Sequence, residues 1–317
     1  MRRFAWLVAC LFMVSAAHAE TFPGKPIRVI VPFPAGSATD GQARLIGAHF
    51  QKMFGHGFIV ENMPGATGAI AARAIARATP DGYTLMISSV STHSANAYLY
   101  NNPGYDPIAD FTPVALIARA PSAMVVRAET PFRTLQDFVA FAKANPDKLN
   151  FAYGNMGSLA GGAMLNAYAG IKTTAVSYRG TPQATTDLLG GQIDFVVMDA
   201  SQTQEHVKAG KLRTLATTGT TRVEAFPDAP TMVEAGYRDY VLFSWQGVHG
   251  PAGMAPEIVA TLNQAVREAI NTPEGKRFFA AYGSETGAMT AADFAAFVKQ
   301  ELKRWEGIVA MTGLPKQ

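Results

Sequence analysis

Short apolar runs alternate with amphipathic stretches along most of this 317-residue chain. Ile27–Val31 is a β-branched run bracketed by Lys25-Pro26 and Pro32, the pattern of a strand buried on both faces. The turn Pro34-Ala35-Gly36-Ser37 follows. Beyond it Leu45, Ile46, His49, Phe50 and Met53 recur at helical spacing and predict a helix with one buried face. Ser37 is placed to cap that helix, and Asp40, three residues on, completes a variant capping box. Phe58–Asn62 and Tyr83–Ile87 predict two further strands, separated by an Ala-rich helix over Ala69–Ala78 and the turn Thr79-Pro80-Asp81-Gly82. A short helix is expected over Ser94–Tyr100. This β-α-β-α-β order predicts a doubly wound parallel sheet.

The pattern then restarts. Strands are expected at Ala123–Val126, Leu149–Tyr153, Thr173–Ser177, Asp194–Met198 and Leu212–Thr217. Thr134 caps a helix over Leu135–Ala144, and Gly154-Asn155-Met156-Gly157-Ser158 opens another that runs to Ala169. After Tyr178-Arg179-Gly180, Thr181 as N-cap and Pro182 at the first helical position start a third helix, and Asp199-Ala200-Ser201 starts a fourth. The tail adds a strand, Trp245–Val248, and two long amphipathic helices, Pro256–Ile270 and Ala291–Val309, which need a sheet to cover. The expected fold class is α/β with two lobes, each a mostly parallel sheet flanked by helices. Residues 20–121 and 219–317 are assigned to lobe 1 and residues 122–218 to lobe 2, with a ligand cleft between them.

The first 19 residues read as a cleavable export signal: Arg2 and Arg3, the apolar run Phe4–Ala16, then Ala17-His18-Ala19 before Glu20. A rival reading takes Leu7-Val8-Ala9-Cys10 as a lipoprotein box. Removing Arg2 and Arg3 lowers the formal net charge from +3 to +1, a near-neutral surface that argues against a nucleic-acid partner. Cys10 is the only cysteine, so the mature chain has neither disulfides nor cysteine chemistry.

Candidate chemistry gathers at the strand-to-helix junctions. Ala35, Gly36, Ser37, Thr39 and Asp40 follow the first strand, and Ser88, Ser89, Ser91 and His93 the third. Asn155, Gly157 and Ser158, then Tyr178, Arg179, Gly180 and Thr181, then Asp199, mark later junctions. In an open α/β sheet these all lie on the carboxyl edge of the strands, where helix N-termini offer free N–H groups to an anion. Arg179 can fork onto a ligand carboxylate or pair with Asp199 or another carboxylate of its lobe; Asp199 can take a ligand ammonium or cap its helix. Phe33, Tyr153, Tyr178 and Trp245 are the aromatics able to wall a pocket, and of these Phe33 and Tyr178 sit next to the turns. There is no GxSxG, Walker, HExxH or GxGxxG pattern, and His49, His56, His93, His206 and His249 show no metal-ligand spacing. A serine triad built in space from Ser37 or Ser158 is the enzymatic alternative.

Lys25 to Gly36 resembles the start of the tripartite tricarboxylate transporter substrate-binding proteins, also called Bug receptors. The likeness continues through Val60 to Ala66, Pro80 to Leu85, Tyr105 to Pro107 with Asp110 to Val114, and Tyr153 to Ser158. Tyr178 to Gly180, Asp187 to Gln192, Gly210 to Arg213 and Pro230 to Gly236 complete it. The resemblance implies a periplasmic type II solute-binding protein, not an enzyme and without cofactor or metal. Such a protein closes two lobes on a small organic carboxylate and delivers it to an integral-membrane permease. It implies carboxylate recognition by backbone amides, with Ala35–Asp40 and Ser88–His93 as the two arms of a pincer. A monomer is expected. The runner-up role is ligand sensing for a signalling partner. One departure stands out: family members commonly have Gly-Gly where this chain has Gly36-Ser37.

Overall fold

The structure, a computed structural model, describes residues 22–281, 283–287 and 289–316; the expected signal segment and Cys10 lie outside them. The elements run β1 (Ile27–Val31), α1 (Ala38–Phe54), β2 (Phe58–Asn62), α2 (Ala69–Ala76), β3 (Thr84–Ser89), α3 (Asn96–Leu99), β4 (Phe111–Arg127), α4 (Leu135–Ala144) and β5 (Asn150–Tyr153). They continue with α5 (Met156–Ala169), β6 (Thr174–Ser177), α6 (Thr181–Leu189), β7 (Phe195–Asp199), α7 (Gln204–Lys208), β8 (Leu212–Thr217) and β9 (Phe243–Pro251). Last come α8 (Pro256–Asn271), α9 (Pro273–Ala280), β10 (Glu285–Thr286) and α10 (Ala291–Thr312).

Two sheets share one strand. The first runs β2-β1-β3-β9-β4, with β10 beside β4; the second joins β4 to β7, β5 and β6, with β8 also on β4. β4 pairs with β9 as far as Pro121 and with β7 from Ser122 onward. Every antiparallel pairing involves β4 or β9, and the other strands pair in parallel. The pattern of residues 111–121 does not advertise a strand, because Pro113 and Pro121 each lack a ladder donor. The ladder tolerates them through irregular register at Pro113/Ala115 and Leu116/Ala118 and by changing sheet after Pro121.

The apolar pattern explains the packing with some adjustments. α1 buries Ala43, Ile46, Gly47 and Phe50, while Met53, expected on that face, is 41% exposed. Ile46 and Phe50 join β1 and α8 in one core cluster, and each such side chain stabilises by about 1.5–3 kcal/mol. The helix expected over Ser94–Tyr100 opens as a π-turn at Ser91–Ala95 before the short α3. Gly180, and not Thr181, is the N-cap of α6, which moves Pro182 to the second helical position. Residues 219–242 place Val223, Phe226 and Ala229 in a cluster with Val125, Leu188 and Val196, on the second sheet. α10 closes over a third cluster through Phe294, Val298 and Trp305, which meets Phe138 and Phe195 from the second sheet. No helix among the described residues is long and apolar enough to cross a membrane.

Candidate binding cleft

The carboxyl ends of β1, β3, β5, β6 and β7 converge on a cleft between the two sheets, and each end feeds a helical segment. Its first wall is the turn before α1. Gly36 takes φ +80°, a conformation that favours glycine, whereas Ser37 is extended at φ −70° and caps α1 by accepting the Asp40 N–H at 3.3 Å. A second glycine is therefore not needed at position 37. The Asp40 carboxylate is fully engaged: it accepts the Gly36 N–H (3.1 Å), Arg44 Nε and Nη2 (3.0 Å each) and Asn62 Nδ2 (3.0 Å). Burial alone raises its pKa. The bonds from Arg44, Asn62 and the Gly36 amide outweigh that and hold it below the ordinary carboxylate value. Asp40, expected to contact ligand, instead holds the turn in place.

The second wall follows β5. Asn155 caps α5 through a reciprocal box with Ser158: Asn155 Oδ1 accepts the Ser158 N–H at 2.8 Å, and the Ser158 hydroxyl accepts the Asn155 N–H at 3.4 Å while donating to the Asn155 carbonyl at 2.9 Å. Ser158 is thus spent on the cap. The Met156 N–H donates across the cleft to Ser91 Oγ at 3.0 Å. Gly180 packs so closely on Pro34 that a Cβ there would lie 2.7 Å from Pro34 Cδ. Turns of the two sheets are thus in contact around the cleft.

The cleft, about 440 Å³ counting space open to solvent, is lined by Phe33, Ser37, Thr39, Ser89, Ser91, Asn155, Gly157, Thr181 and Asp199. Ala38, Val90, Gly154, Ser244, Trp245 and Gln246 complete the lining. Of the three from β9, Trp245 is one of the aromatics expected to be able to wall a pocket, whereas nothing local marks Ser244 and Gln246, which reach the cleft through antiparallel pairing with β3 and β4. A second recess of about 340 Å³ adjoins and shares Ala38, Asp199 and Gln246 with the first. The first-turn amides of Ala38, Thr39, Gly157 and Thr181 have no intrahelical acceptor, as helix geometry dictates. Ser89 Oγ is buried in the lining without a hydrogen-bond partner among the described residues. Neutral donors thus converge from several helix N-termini, and among the described residues no Lys, Arg or His side chain lines the cleft.

The remaining expected residues lie elsewhere. Ala35 and Gly36 are exposed at the turn. Ser88 is fully buried against His249 Nδ1 (2.7 Å), and His93 is stacked on His249 at 3.9 Å behind the cleft. Desolvation lowers the His93 pKa to about 3. Tyr178 donates to Asp187 at 2.8 Å and packs on the second sheet, so Trp245 takes the wall position expected of it. Arg179 is exposed and forms no ion pair among the described residues, with Asp199 or otherwise. Asp199 does not cap its helix; its Oδ1 accepts the Ser244 hydroxyl at 2.5 Å. Desolvation raises its pKa, and the Ser244 bond opposes the rise. Neither Ser37 nor Ser158 has a histidine partner among its hydrogen bonds, so the serine-triad alternative has no dyad to start from. No cluster of three or more metal-ligating side chains occurs among the described residues.

Comparison with known proteins agrees with this architecture. The model of the TctC family, described as tripartite tricarboxylate transporter family receptor, matches residues 42–314. BugT of Bordetella pertussis (strain Tohama I) is 33% identical over 311 residues, which covers 96% of this chain and 95% of BugT. The solved structure of R. palustris Rpa4515 with adipate superposes with a TM-score of 0.90 at 31% identity, covering 93% of this chain and 100% of that one. MatC from Rhodopseudomonas palustris with bound malate gives 0.86 at 33% identity, over 91% of this chain and 100% of that one. The chain belongs to the tripartite tricarboxylate transporter receptor family, whose members are two-lobed periplasmic solute-binding proteins and not enzymes.

Proposed function

We propose that this chain captures a small organic carboxylate between its lobes and delivers it to a membrane permease of the tripartite tricarboxylate type. The observation that carries the reading is the convergence of the N-termini of α1, α5 and α6 on one cleft that has no basic side chain. Each terminus carries roughly half a positive charge, and its free amides suit a carboxylate. Adipate in Rpa4515 and malate in MatC, both carboxylates, support the ligand class. In this reading, residues 1–19 are removed at Ala19/Glu20 on export. One lobe is then residues 20–121 and 219–317 and the other residues 122–218, with Val223, Phe226 and Ala229 packed on the second sheet.

The test is a thermal-shift panel of the mature protein against citrate, malate, adipate, aromatic acids and amino acids. A ligand at 100 times its Kd should add about 2.7 kcal/mol and raise Tm accordingly. A panel in which no carboxylate moves Tm rejects the reading.

A further inference from the structure

The cleft is charged at one place only. Among the described lining residues Asp199 is the single ionisable side chain, and it shares that lining with helix N-termini that present partial positive charge. Its Oδ1 is held by Ser244, while Oδ2 accepts no hydrogen bond from the described residues. Asp199 also lies at the seam of the two recesses, so a molecule in either one reaches it. The cation that the sequence offers as its neutraliser, Arg179, is exposed and does not pair with it. A ligand closed into this space strips more water from a carboxylate that burial already destabilises, and only a donor on the ligand can restore the loss.

Resting on the carboxylate reading above, we propose that the ligand is an amino carboxylate, its carboxylate on the helix N-termini and its ammonium on Asp199 Oδ2. Ser244 is the positioning residue, which fixes the Asp199 carboxylate so that its free oxygen faces the ligand. The dipolar cleft matches a zwitterion at both ends. A dicarboxylate of the adipate or malate kind meets the opposite situation, because its second carboxylate, placed at Asp199, faces a like charge in a poorly hydrated site. The acid in this cleft therefore works as a discriminator: it favours the amine-bearing carboxylate and rejects the dianion.

Calorimetric titration of the mature protein tests this with matched sets. Each set holds an amino acid, its des-amino acid and the dicarboxylate of the same chain length. In the best-binding set the amino acid should bind at least about tenfold more tightly than both counterparts, as one charge-assisted hydrogen bond implies. In Asp199→Asn, an isosteric change that can still accept from Ser244, that preference should shrink to about twofold or less, with a melting curve showing that the protein is folded. Ser244→Ala should shrink it partway. Equal or tighter binding of the dicarboxylate, or a preference that survives in Asp199→Asn, overturns the inference and leaves the carboxylate reading standing. Silence from every member of every set overturns both.

Discussion

At the scale of single residues, the turn before α1 depends on a side chain that does not line the cleft. The Asp40 side chain is only 7% exposed and gathers the Gly36 amide, Asn62 and Arg44, whose own side chain is 57% exposed. Asp40→Ala should leave the Gly36 N–H and Asn62 Nδ2 without their acceptor and cost about 1.5–3 kcal/mol, measured as a lower urea midpoint with unchanged slope. Ligand affinity should fall with it, because the Ser37–Thr39 amides lose their anchor. Arg44→Ala should cost much less, because an exposed partner is screened by water. An acid three residues after a capping serine reads as a cap or a ligand group, and only the fold brings Asn62 from β2 to occupy it. Ser37, Asn155 and Gly157 were readable because cap chemistry is local. Gln246 and Ser244 were not, because their place in the cleft comes from a partner strand more than a hundred residues away.

At the scale of elements, β3 and β9 are pinned together behind the cleft by a stacked histidine pair. His93 is wedged between His249 and Phe111, and His249 bonds Ser88 and meets Phe294. Desolvation lowers His93 to about 3, and desolvation together with neighbouring His93 lowers His249 well below 6.5. In the unfolded chain both take up a proton near pH 6.5. Between about pH 6.5 and 3 the unfolded state therefore binds more protons than the folded one, and stability falls as pH falls through that window. His93 contributes a slope approaching about 1.4 kcal/mol per pH unit there, His249 adds to it in the same direction below pH 6.5, and neither contributes above it. Melting curves from pH 7 to 4.5 should show this decline. His93→Phe, which also removes an Nε2 without a partner, should roughly halve the histidine share of the slope. An unchanged slope would assign the acid sensitivity to other groups. Elements with strong local signals, such as β2, β8 and α4, lie at their expected bounds, Phe58–Asn62, Leu212–Thr217 and Leu135–Ala144. The first half of β4 was hidden by Pro113 and Pro121, because local propensity cannot anticipate a strand that changes sheets.

At the scale of the whole molecule, the proposed capture of a ligand brings two lobes together, and their turns meet where Pro34 packs against Gly180. Gly180 is extended, at φ −178°, so alanine fits its backbone without strain. The added Cβ, however, would lie 2.7 Å from Pro34 Cδ and 2.8 Å from Cγ, on a ring that cannot rotate away. Gly180→Ala should therefore leave each lobe intact and penalise only their approach. The overpacking should cost about 1–3 kcal/mol, which is roughly a five- to hundredfold loss of ligand affinity. The ligand-free melting curve reports separately on whether the variant is folded. Small-angle scattering should show the wild type contracting when ligand is added and the variant contracting less at equal occupancy. Pro34→Ala combined with Gly180→Ala should recover most of the affinity, since removing the ring makes room for the methyl group. Wild-type affinity and contraction in Gly180→Ala alone would mean that the turn before α1 yields, and that closure is governed instead by the polar contacts Met156 to Ser91 and Ser244 to Asp199.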